Sequence, residues 1–358
     1  MDSCVIPQLG YGEFSDWLHK RVGDQRIPIA GSLEVTMRCN LRCQHCYIPL
    51  EQRADRVEPE MSKAEIQRIL DEITDAGCLW LLLTGGDPFL RSDFLDIYLY
   101  AKRKGLLLNI FTNGTLITPK IADFLADWRP FGMEITLYGA TKETYERVTG
   151  IPGSYERCRR GIELLLKRNL PLKLKTMVMT LNQHELGQMQ ALAANYGLNF
   201  RFDPILHTAL DSSHRPNAFR LSPEEIVAIE KGDPERSRLW PHRINTALQT
   251  PTGDRRVFLC GAGKLGFHID AIGRLCLCIS ARDPFYDLRS GTFQEGWEKF
   301  IPSVINRQYT SDFECINCNL RTSCPQCAVT ATLENGVSDK PTPFLCQIAH
   351  LRKESFVE

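Results

Sequence analysis

Residues 32–47 read SLEVTMRCNLRCQHCY and place three closely spaced thiols directly after a strand-like run. The thiols belong to Cys39, Cys43 and Cys46, which follow the predicted strand 33–37. A structural zinc site normally has four protein ligands, whereas a [4Fe–4S] cluster held by three cysteines leaves one iron open to another ligand. The stretch therefore predicts an iron–sulfur cluster with an open iron at the end of the first strand. A fragment of a zinc site is the alternative.

Five further strand-like runs follow, and amphipathic helical stretches separate them. The six predicted strands are 33–37, 79–84, 107–111, 133–137, 172–178 and 199–203, and the helical stretches begin near Ser62, Ser92, Thr118, Lys142 or Ser154, and Gln183. Strands that alternate with helices pair in parallel through crossover connections. We therefore predict an α/β fold, a partial (β/α)6 TIM-like barrel with its active site at the C-terminal strand ends and one open side.

The pattern of cysteines and apolar runs divides the chain into five parts. They are an N-terminal extension (1–31), the partial barrel (32–203), a connecting segment (204–256) with a helix at 223–231, a cysteine-rich domain (257–350) and a C-terminal tail (351–358). The cysteine-rich domain has few long apolar periodic runs. We therefore expect metal clusters to supply part of its stability.

Charge and hydropathy exclude several classes of protein. Forty-three Lys and Arg balance forty-three Asp and Glu without blocks of like charge, so we expect neither nucleic acid nor an anionic membrane as a partner. A signal peptide and a membrane span are not predicted, which favours a cytoplasmic protein. In that reducing compartment, fourteen cysteines indicate metal binding or catalysis rather than disulfides. Cys4, Cys78 and Cys158 stand alone and are expected to be small buried side chains.

The CX3CX2C spacing followed by Tyr47 resembles the motif of the radical S-adenosylmethionine (SAM) superfamily. In that family the open iron binds the amino and carboxylate groups of SAM. Gly85-Gly86-Asp87-Pro88 after the second strand resembles the family's GGEP motif, with Asp87 in place of Glu, and its glycines would let the backbone approach the ammonium group of SAM. The resemblance implies further cofactor contacts from Tyr47 beside the adenine, Thr136 at the ribose, Asn113, and Arg157 at the methionine carboxylate.

A second group of cysteines resembles the SPASM domain, which holds two auxiliary [4Fe–4S] clusters. By this resemblance Cys260, Cys278 and Cys327 would hold the inner cluster, and the outer cluster would be held by Cys315, Cys318, Cys324 and Cys346. Cys276 would either close the inner cluster or simply pack in the interior. A pair of zinc ribbons is the competing interpretation, because CX2C pairs also bind zinc.

The resemblance implies reductive cleavage of SAM to a 5′-deoxyadenosyl radical that abstracts hydrogen from a substrate. SPASM enzymes commonly modify peptides or proteins, so the leading prediction is a maturase that crosslinks, oxidises or excises part of a ribosomally made peptide. The expected partners are that peptide, a separate leader-binding protein, and an electron donor such as flavodoxin or ferredoxin. Asp203, at the end of the sixth strand, is placed to remove a proton or bind substrate, or else to pair with Arg201.

Three other functions stay open at this point. An anaerobic sulfatase-type maturase is disfavoured by Gly266, where that family tends to have an extra cysteine, and by Tyr138, where it tends to have Asp. A small-molecule or tetrapyrrole-modifying radical enzyme is the second. A non-catalytic electron carrier is the third, and the three-cysteine site followed by Gly85-Gly86 argues against it. The sequence does not identify the substrate.

Overall fold

Six parallel strands form the first part of the sheet, as the sequence predicted. The structure, a computed structural model, describes residues 10–23, 25–49, 59–310 and 312–357. The strands are β1 (Ala30–Thr36), β2 (Trp80–Gly85), β3 (Leu107–Thr112), β4 (Gly132–Thr136), β5 (Leu172–Met177) and β6 (Phe200–Asp203). Each pairs in parallel with the next along the chain. Every predicted strand end lies within three residues of the observed one.

One helix precedes β1, and the other helices of the barrel connect its strands. They are α1 (Tyr11–Val22), α2 (Lys63–Asp75), α3 (Phe94–Arg103), α4 (Pro119–Asp127), α5 (Lys142–Thr149), α6 (Ser154–Leu166) and α7 (Leu186–Asn195). Ser62 and Thr118 cap α2 and α4, because their hydroxyls accept hydrogen bonds from the backbone N–H groups of Glu65 and Ile121. Alternate strand residues such as Leu33, Leu83 and Ile110 pack under these helices in the main core.

The cysteine-rich region continues the barrel sheet. It contributes β7 (Gly266–Ile269), β8 (Arg274–Cys276) and β9 (Tyr286–Asp287), and the strand order is β6-β5-β4-β3-β2-β1-β7-β8-β9. Strand β7 pairs in parallel with β1, and Phe267 packs where a side chain at Gly31 would stand, with the ring carbons 2.2 Å from the position of a Cβ. The predicted boundary at residue 257 is therefore not a break in the sheet or in the core, because Phe267, Ile269 and Leu275 belong to the same hydrophobic core as the barrel.

The remaining helices follow β6 or lie in the cysteine-rich region. They are α8 (Pro223–Gly232), α9 (Pro234–Gln249), α10 (Phe293–Glu295), α11 (Ile301–Ile305), α12 (Ala328–Asn335) and α13 (Pro343–Phe356). The prediction of a tail from residue 351 is wrong for residues 351–356, because α13 continues through them. Arg352 anchors this last turn through a buried pair with Glu230 of α8. Among the described residues, no helix is both long and apolar enough to cross a membrane.

Candidate active site at the C-terminal strand ends

The loop that carries Cys39, Cys43 and Cys46 is pinned to the end of α5. The backbone N–H groups of Arg42 and Gln44 donate to the carbonyl oxygens of Thr149 and Val148, at 2.9 and 3.1 Å. The Cys46 N–H also donates to the Cys43 carbonyl at 3.2 Å. Cys43 is buried, and the other two cysteines are half-buried. The three thiols thus lie in one short loop that is fixed by backbone contacts.

Hydrogen-bond donors point at the first thiol of this loop. The Leu41 N–H lies 3.4 Å from the Cys39 Sγ, and the Asn113 amide lies 3.8 Å from it. Donors of this kind stabilise a thiolate, which is the form that ligates iron. Among the described residues, no three His, Cys, Asp or Glu side chains are grouped to hold a single metal ion. A cubane distributes its cysteines over separate irons instead.

Gly85 and Gly86 approach the backbone that leads into Cys39. A Cβ on Gly85, whose φ is +132°, would lie 1.9 Å from the Thr36 carbonyl oxygen, and one on Gly86 would lie 2.1 Å from that of Arg38. The N–H groups of Gly86 and Asp87 donate to these same two oxygens, both at 2.9 Å. Glycine is needed at both positions for a close backbone approach, and the observed neighbour is the protein's own chain before the first cysteine.

Asp87 is fully buried and joins the ends of β2 and β3. Its Oδ2 accepts from the Thr112 hydroxyl and the Asn113 N–H, both at 2.8 Å, and its Oδ1 accepts from the Phe89 N–H at 3.1 Å. Burial raises the pKa of Asp87 to about 6, although these hydrogen bonds favour the carboxylate. Pro88, also buried, begins the single turn that follows. Asp87 therefore joins two strand ends beside the site, and both of its carboxylate oxygens accept hydrogen bonds.

Asn113 links this support to the cysteine loop. Its amide nitrogen donates to the Asn40 side chain at 2.9 Å, and its carbonyl oxygen accepts from the N–H and the hydroxyl of Thr115, at 2.9 and 2.6 Å. Thr136 ends β4, and its half-buried hydroxyl makes no hydrogen bond within the described part of the chain. Arg157 is exposed in the first turn of α6. Asn113 and Thr136 thus lie at the ends of neighbouring strands, whereas Arg157 lies on a helix.

Aromatic residues that the sequence did not indicate border the cysteine loop. The ring of His45 meets that of Tyr138 edge-on at 4.8 Å, and Tyr138 in turn lies 6.2 Å from the ring of Tyr145. Burial raises the pKa of Tyr138, and the nearby thiol of Cys43 raises it further. Since His45 is distant along the chain from Tyr138 and Tyr145, only packing places it against them.

A layer of charged residues lies on the inner face of β4, β5 and β6. One oxygen of Glu134 accepts from Arg201 at 2.7 Å and lies 3.3 Å from the Lys175 ammonium, which is 2.9 Å from the centre of the Phe111 ring. Burial lowers the pKa of Lys175 to about 7. The alternation of charged and apolar residues in the predicted strands is the sequence signal that could have indicated this layer. Arg201 pairs with Glu134 rather than with Asp203, which is exposed at the end of β6.

The later cysteines form two groups. Burial raises the pKa of Cys278, and the thiolates of Cys327 and Cys260 raise it further. Burial likewise raises the pKa of Cys315 to about 12, with added contributions from the nearby thiols of Cys324, Cys318 and Cys346. Cys276 belongs to neither group, because it is buried, faces the Arg274 carbonyl at 3.6 Å and is influenced by Asp270. Cys78 and Cys158 are buried as expected, and Cys4 lies outside the described residues.

A cleft of about 490 Å³ opens beside the inner cysteine group. Its walls include Phe258, Leu277, Arg282, Ala328 and Leu333. Three of these residues lie within two positions of Cys260, Cys278 or Cys327. The cleft is therefore lined by residues that neighbour each of these three cysteines in the sequence.

A family model described as the radical SAM superfamily matches residues 33–193, which include the three-cysteine loop and the ends of β1 to β5. Residues 33–193 of the chain form a radical SAM domain. Members of this superfamily use SAM and a [4Fe–4S] cluster.

Relatives of this radical SAM protein differ in how much of the chain they match. The AdoMet-dependent heme synthase of Methanosarcina barkeri is 34% identical over 164 residues, which are 46% of this chain and 46% of that protein. The chain thus aligns with less than half of the synthase. The mycofactocin maturase MftC of Mycolicibacterium smegmatis is 28% identical over 335 residues, covering 88% of this chain and 82% of that protein.

A solved structure shares the fold of this radical SAM protein. The crystal structure of Streptococcus suis SuiB bound to the precursor peptide SuiA aligns with a TM-score of 0.65 and 16% identity, covering 95% of this chain and 82% of that one. The match extends well beyond the barrel. It confirms the predicted α/β architecture, a partial barrel followed by a cysteine-rich region.

Proposed function

We propose that this radical SAM protein modifies a peptide or protein, by crosslinking, oxidation or excision. The cleft beside Cys260, Cys278 and Cys327 carries the proposal, because it is an open groove along the cysteine-rich region that could accept an extended chain. The alignment with a maturase over 88% of the chain supports it, since that alignment includes the region around the cleft.

Cys39, Cys43 and Cys46 fit a [4Fe–4S] cluster, because three thiols share one fixed loop and N–H donors point at the first of them. When bound, the cluster and SAM supply a reductive C–S cleavage and a 5′-deoxyadenosyl radical that abstracts hydrogen. The chain's own part is to hold the loop through Gly85, Gly86 and Asp87 and to shield the site from solvent with Tyr138 and Tyr145. Tyr47, Asn113, Thr136 and Arg157 are proposed to bind SAM, with Gly85 to Pro88 shaping the pocket.

The two later groups of cysteines are proposed to hold auxiliary [4Fe–4S] clusters. Cys260, Cys278 and Cys327 would hold the inner one, and the remaining set would hold the outer one, namely Cys315, Cys318, Cys324 and Cys346. Cys276, whose Sγ faces the Arg274 carbonyl oxygen at 3.6 Å, is proposed to pack in the interior rather than to supply a fourth ligand. Asp203 is proposed as the residue that binds substrate or accepts a proton, since it is exposed at a strand end.

The partners and setting are proposed from the same chemistry. Reductive cleavage needs an electron donor, for which a flavodoxin or ferredoxin is proposed, and a separate leader-binding protein would present the peptide. A cytoplasmic setting is proposed because free thiols and iron–sulfur clusters require reducing conditions. The division into barrel, connecting segment and cysteine-rich domain is proposed as a functional division only, since the sheet runs across it.

The function is tested by anaerobic reconstitution with iron and sulfide, followed by reduction in the presence of SAM. We expect about twelve irons per chain, from three cubanes, and formation of 5′-deoxyadenosine. A short peptide encoded beside this gene is then added, and mass spectrometry follows its mass change. Deuterium transfer from the labelled peptide to 5′-deoxyadenosine would establish hydrogen abstraction. Formation of 5′-deoxyadenosine without any change in such a peptide would contradict the choice of substrate.

A tetrapyrrole-modifying enzyme is the second candidate. The 34% identity with a heme synthase over 164 residues favours it, but that match covers only 46% of the chain. The same reconstituted protein should be incubated with SAM and an iron tetrapyrrole that carries propionate side chains. Chromatographic conversion of the tetrapyrrole, with the peptide left unchanged, would favour this candidate over the first.

A further inference from the structure

A buried ion pair joins β1 to the loop that follows Cys278. Glu34 of β1 is fully buried, five residues before Cys39. Arg282 donates to both of its oxygens, through Nη1 at 2.9 Å and Nη2 at 2.6 Å. The Nε of Arg282 donates to the carbonyl oxygen of Ile279 at 2.8 Å. One guanidinium therefore contacts both the strand before the first cysteine group and the residue next to Cys278.

His268 of β7 and Asp270, which directly follows β7, complete this buried group. An oxygen of Asp270 lies 3.8 Å from Arg282, and the Nδ1 of His268 lies 2.7 Å from the Ser32 hydroxyl. The other ring nitrogen of His268 is 3.8 Å from Glu34 and has no hydrogen-bond partner among the described residues. Burial lowers the pKa of His268, which keeps its ring neutral. The group thus has one cation facing two carboxyl groups.

The backbone of Tyr47 lies against the cleft that Arg282 also lines, because its hydrogen-bond partner Leu210 is one of the lining residues. The Tyr47 carbonyl oxygen accepts from the Leu210 N–H at 3.0 Å. Tyr47 directly follows Cys46.

The energetics of buried pairs indicate a role other than stability. Removing two charges from water costs so much that apolar replacements of a buried pair are often neutral or stabilising. Such a pair does fix geometry, because a carboxylate and a guanidinium meet in one bidentate orientation. A pair that joins the strand before the first cysteine group to the loop after Cys278 is therefore suited to positioning.

We propose that Glu34 and Arg282 are positioning residues that fasten the loop after Cys278 to β1, and so hold the end of β1 that leads into Cys39 in the position that SAM binding needs. This inference rests on the proposed SAM site. A purely structural pair would affect folding without affecting SAM binding once folding is restored.

The test compares E34Q, R282M and the double variant E34Q/R282M with the wild-type protein. Each reconstituted protein is assayed anaerobically for its melting temperature, for its dissociation constant with SAM, and for the change that SAM causes in the EPR spectrum of the reduced cluster. The single variants should melt lower, because each leaves an uncompensated buried group. The double variant should recover most of the melting temperature but bind SAM about tenfold more weakly, as is typical when residues supporting a ligand site are removed.

A second buried pair supplies the matched control. Arg352 and Glu230 form an equally buried bidentate pair, at 2.8 and 2.7 Å, between α13 and α8. The variant E230Q/R352M should change the melting temperature and leave SAM affinity as in the wild type. R282K keeps the positive charge but cannot make the bidentate contact with Glu34. It should therefore fold and bind SAM more weakly than the wild type does.

The outcomes separate the inference from the proposed function. Wild-type SAM affinity and EPR response in E34Q/R282M would overturn the positioning role. If that double variant does not fold, R282K decides in the same way, and its wild-type affinity would overturn the proposal. Failure of the wild-type protein itself to bind SAM would instead refute the proposed function.

Discussion

Gly86→Ala is the substitution with the most direct consequence for the cysteine loop. The new Cβ would lie 2.1 Å from the Arg38 carbonyl oxygen and 2.5 Å from that of Met37. Both contacts are to backbone, so no side-chain rotation relieves them. The segment before Cys39 must move away, which breaks the hydrogen bonds from Gly86 to Thr36 and from Asp87 to Arg38.

The expected loss of folding free energy has two contributions, the broken hydrogen bonds and the overpacking around the new Cβ. Two hydrogen bonds contribute about 1 kcal/mol each, and overpacking costs roughly 1–3 kcal/mol, so the folding free energy should fall by about 3–5 kcal/mol. This corresponds to a decrease in melting temperature on the order of 10 °C. SAM affinity should also fall, because the displaced segment carries the first thiol.

The assay is anaerobic thermal unfolding together with SAM binding, and Gly187→Ala is the control. Gly187 lies in α7 with no atom within 4 Å of a Cβ, so alanine there should be neutral or stabilising by up to about 1 kcal/mol. If Gly86→Ala melted within 2 °C of the wild type, roughly 1 kcal/mol or less, and bound SAM normally, the argument from close backbone approach would be refuted.

Three further predictions concern the cysteines and the pH dependence of stability. Cys43→Ala should remove about four irons per chain and abolish 5′-deoxyadenosine formation, whereas Cys78→Ala, a buried control, should preserve both in iron analysis and chromatography. Cys276→Ser should keep its iron while Cys278→Ser loses about four atoms, because only Cys278 lies with Cys260 and Cys327, and equal losses would make Cys276 a ligand. Burial raises the pKa of Asp270 from 3.8 to about 6, so the folded state disfavours its carboxylate. The stability from this group is complete below about pH 4 and declines by about 2–3 kcal/mol as pH rises through 6. Asp270→Asn should show a smaller decline between pH 4 and 7 in urea unfolding, and parallel curves for both proteins would contradict this.

The strands were predictable because their signals are local. A run of apolar residues such as 79–84, bounded by helical patterns, identifies a strand without any knowledge of its neighbours. The order of the motifs along the chain also placed Gly85 and Thr136 at strand ends. The pairing of β7 with β1 was not predictable, since residues 266–269 and 30–33 are distant in sequence and meet only after the barrel forms.

The three-cysteine loop shows where sequence evidence ends. The spacing of Cys39, Cys43 and Cys46 was sufficient to predict a cluster with an open iron, because ligand number and spacing are properties of a short segment. The sequence could not show that Gly86 approaches Arg38 or that Arg282 contacts Glu34. Those contacts join residues up to 248 positions apart. Tertiary packing alone decides them, because a side chain's partner depends on which elements the folded core brings together.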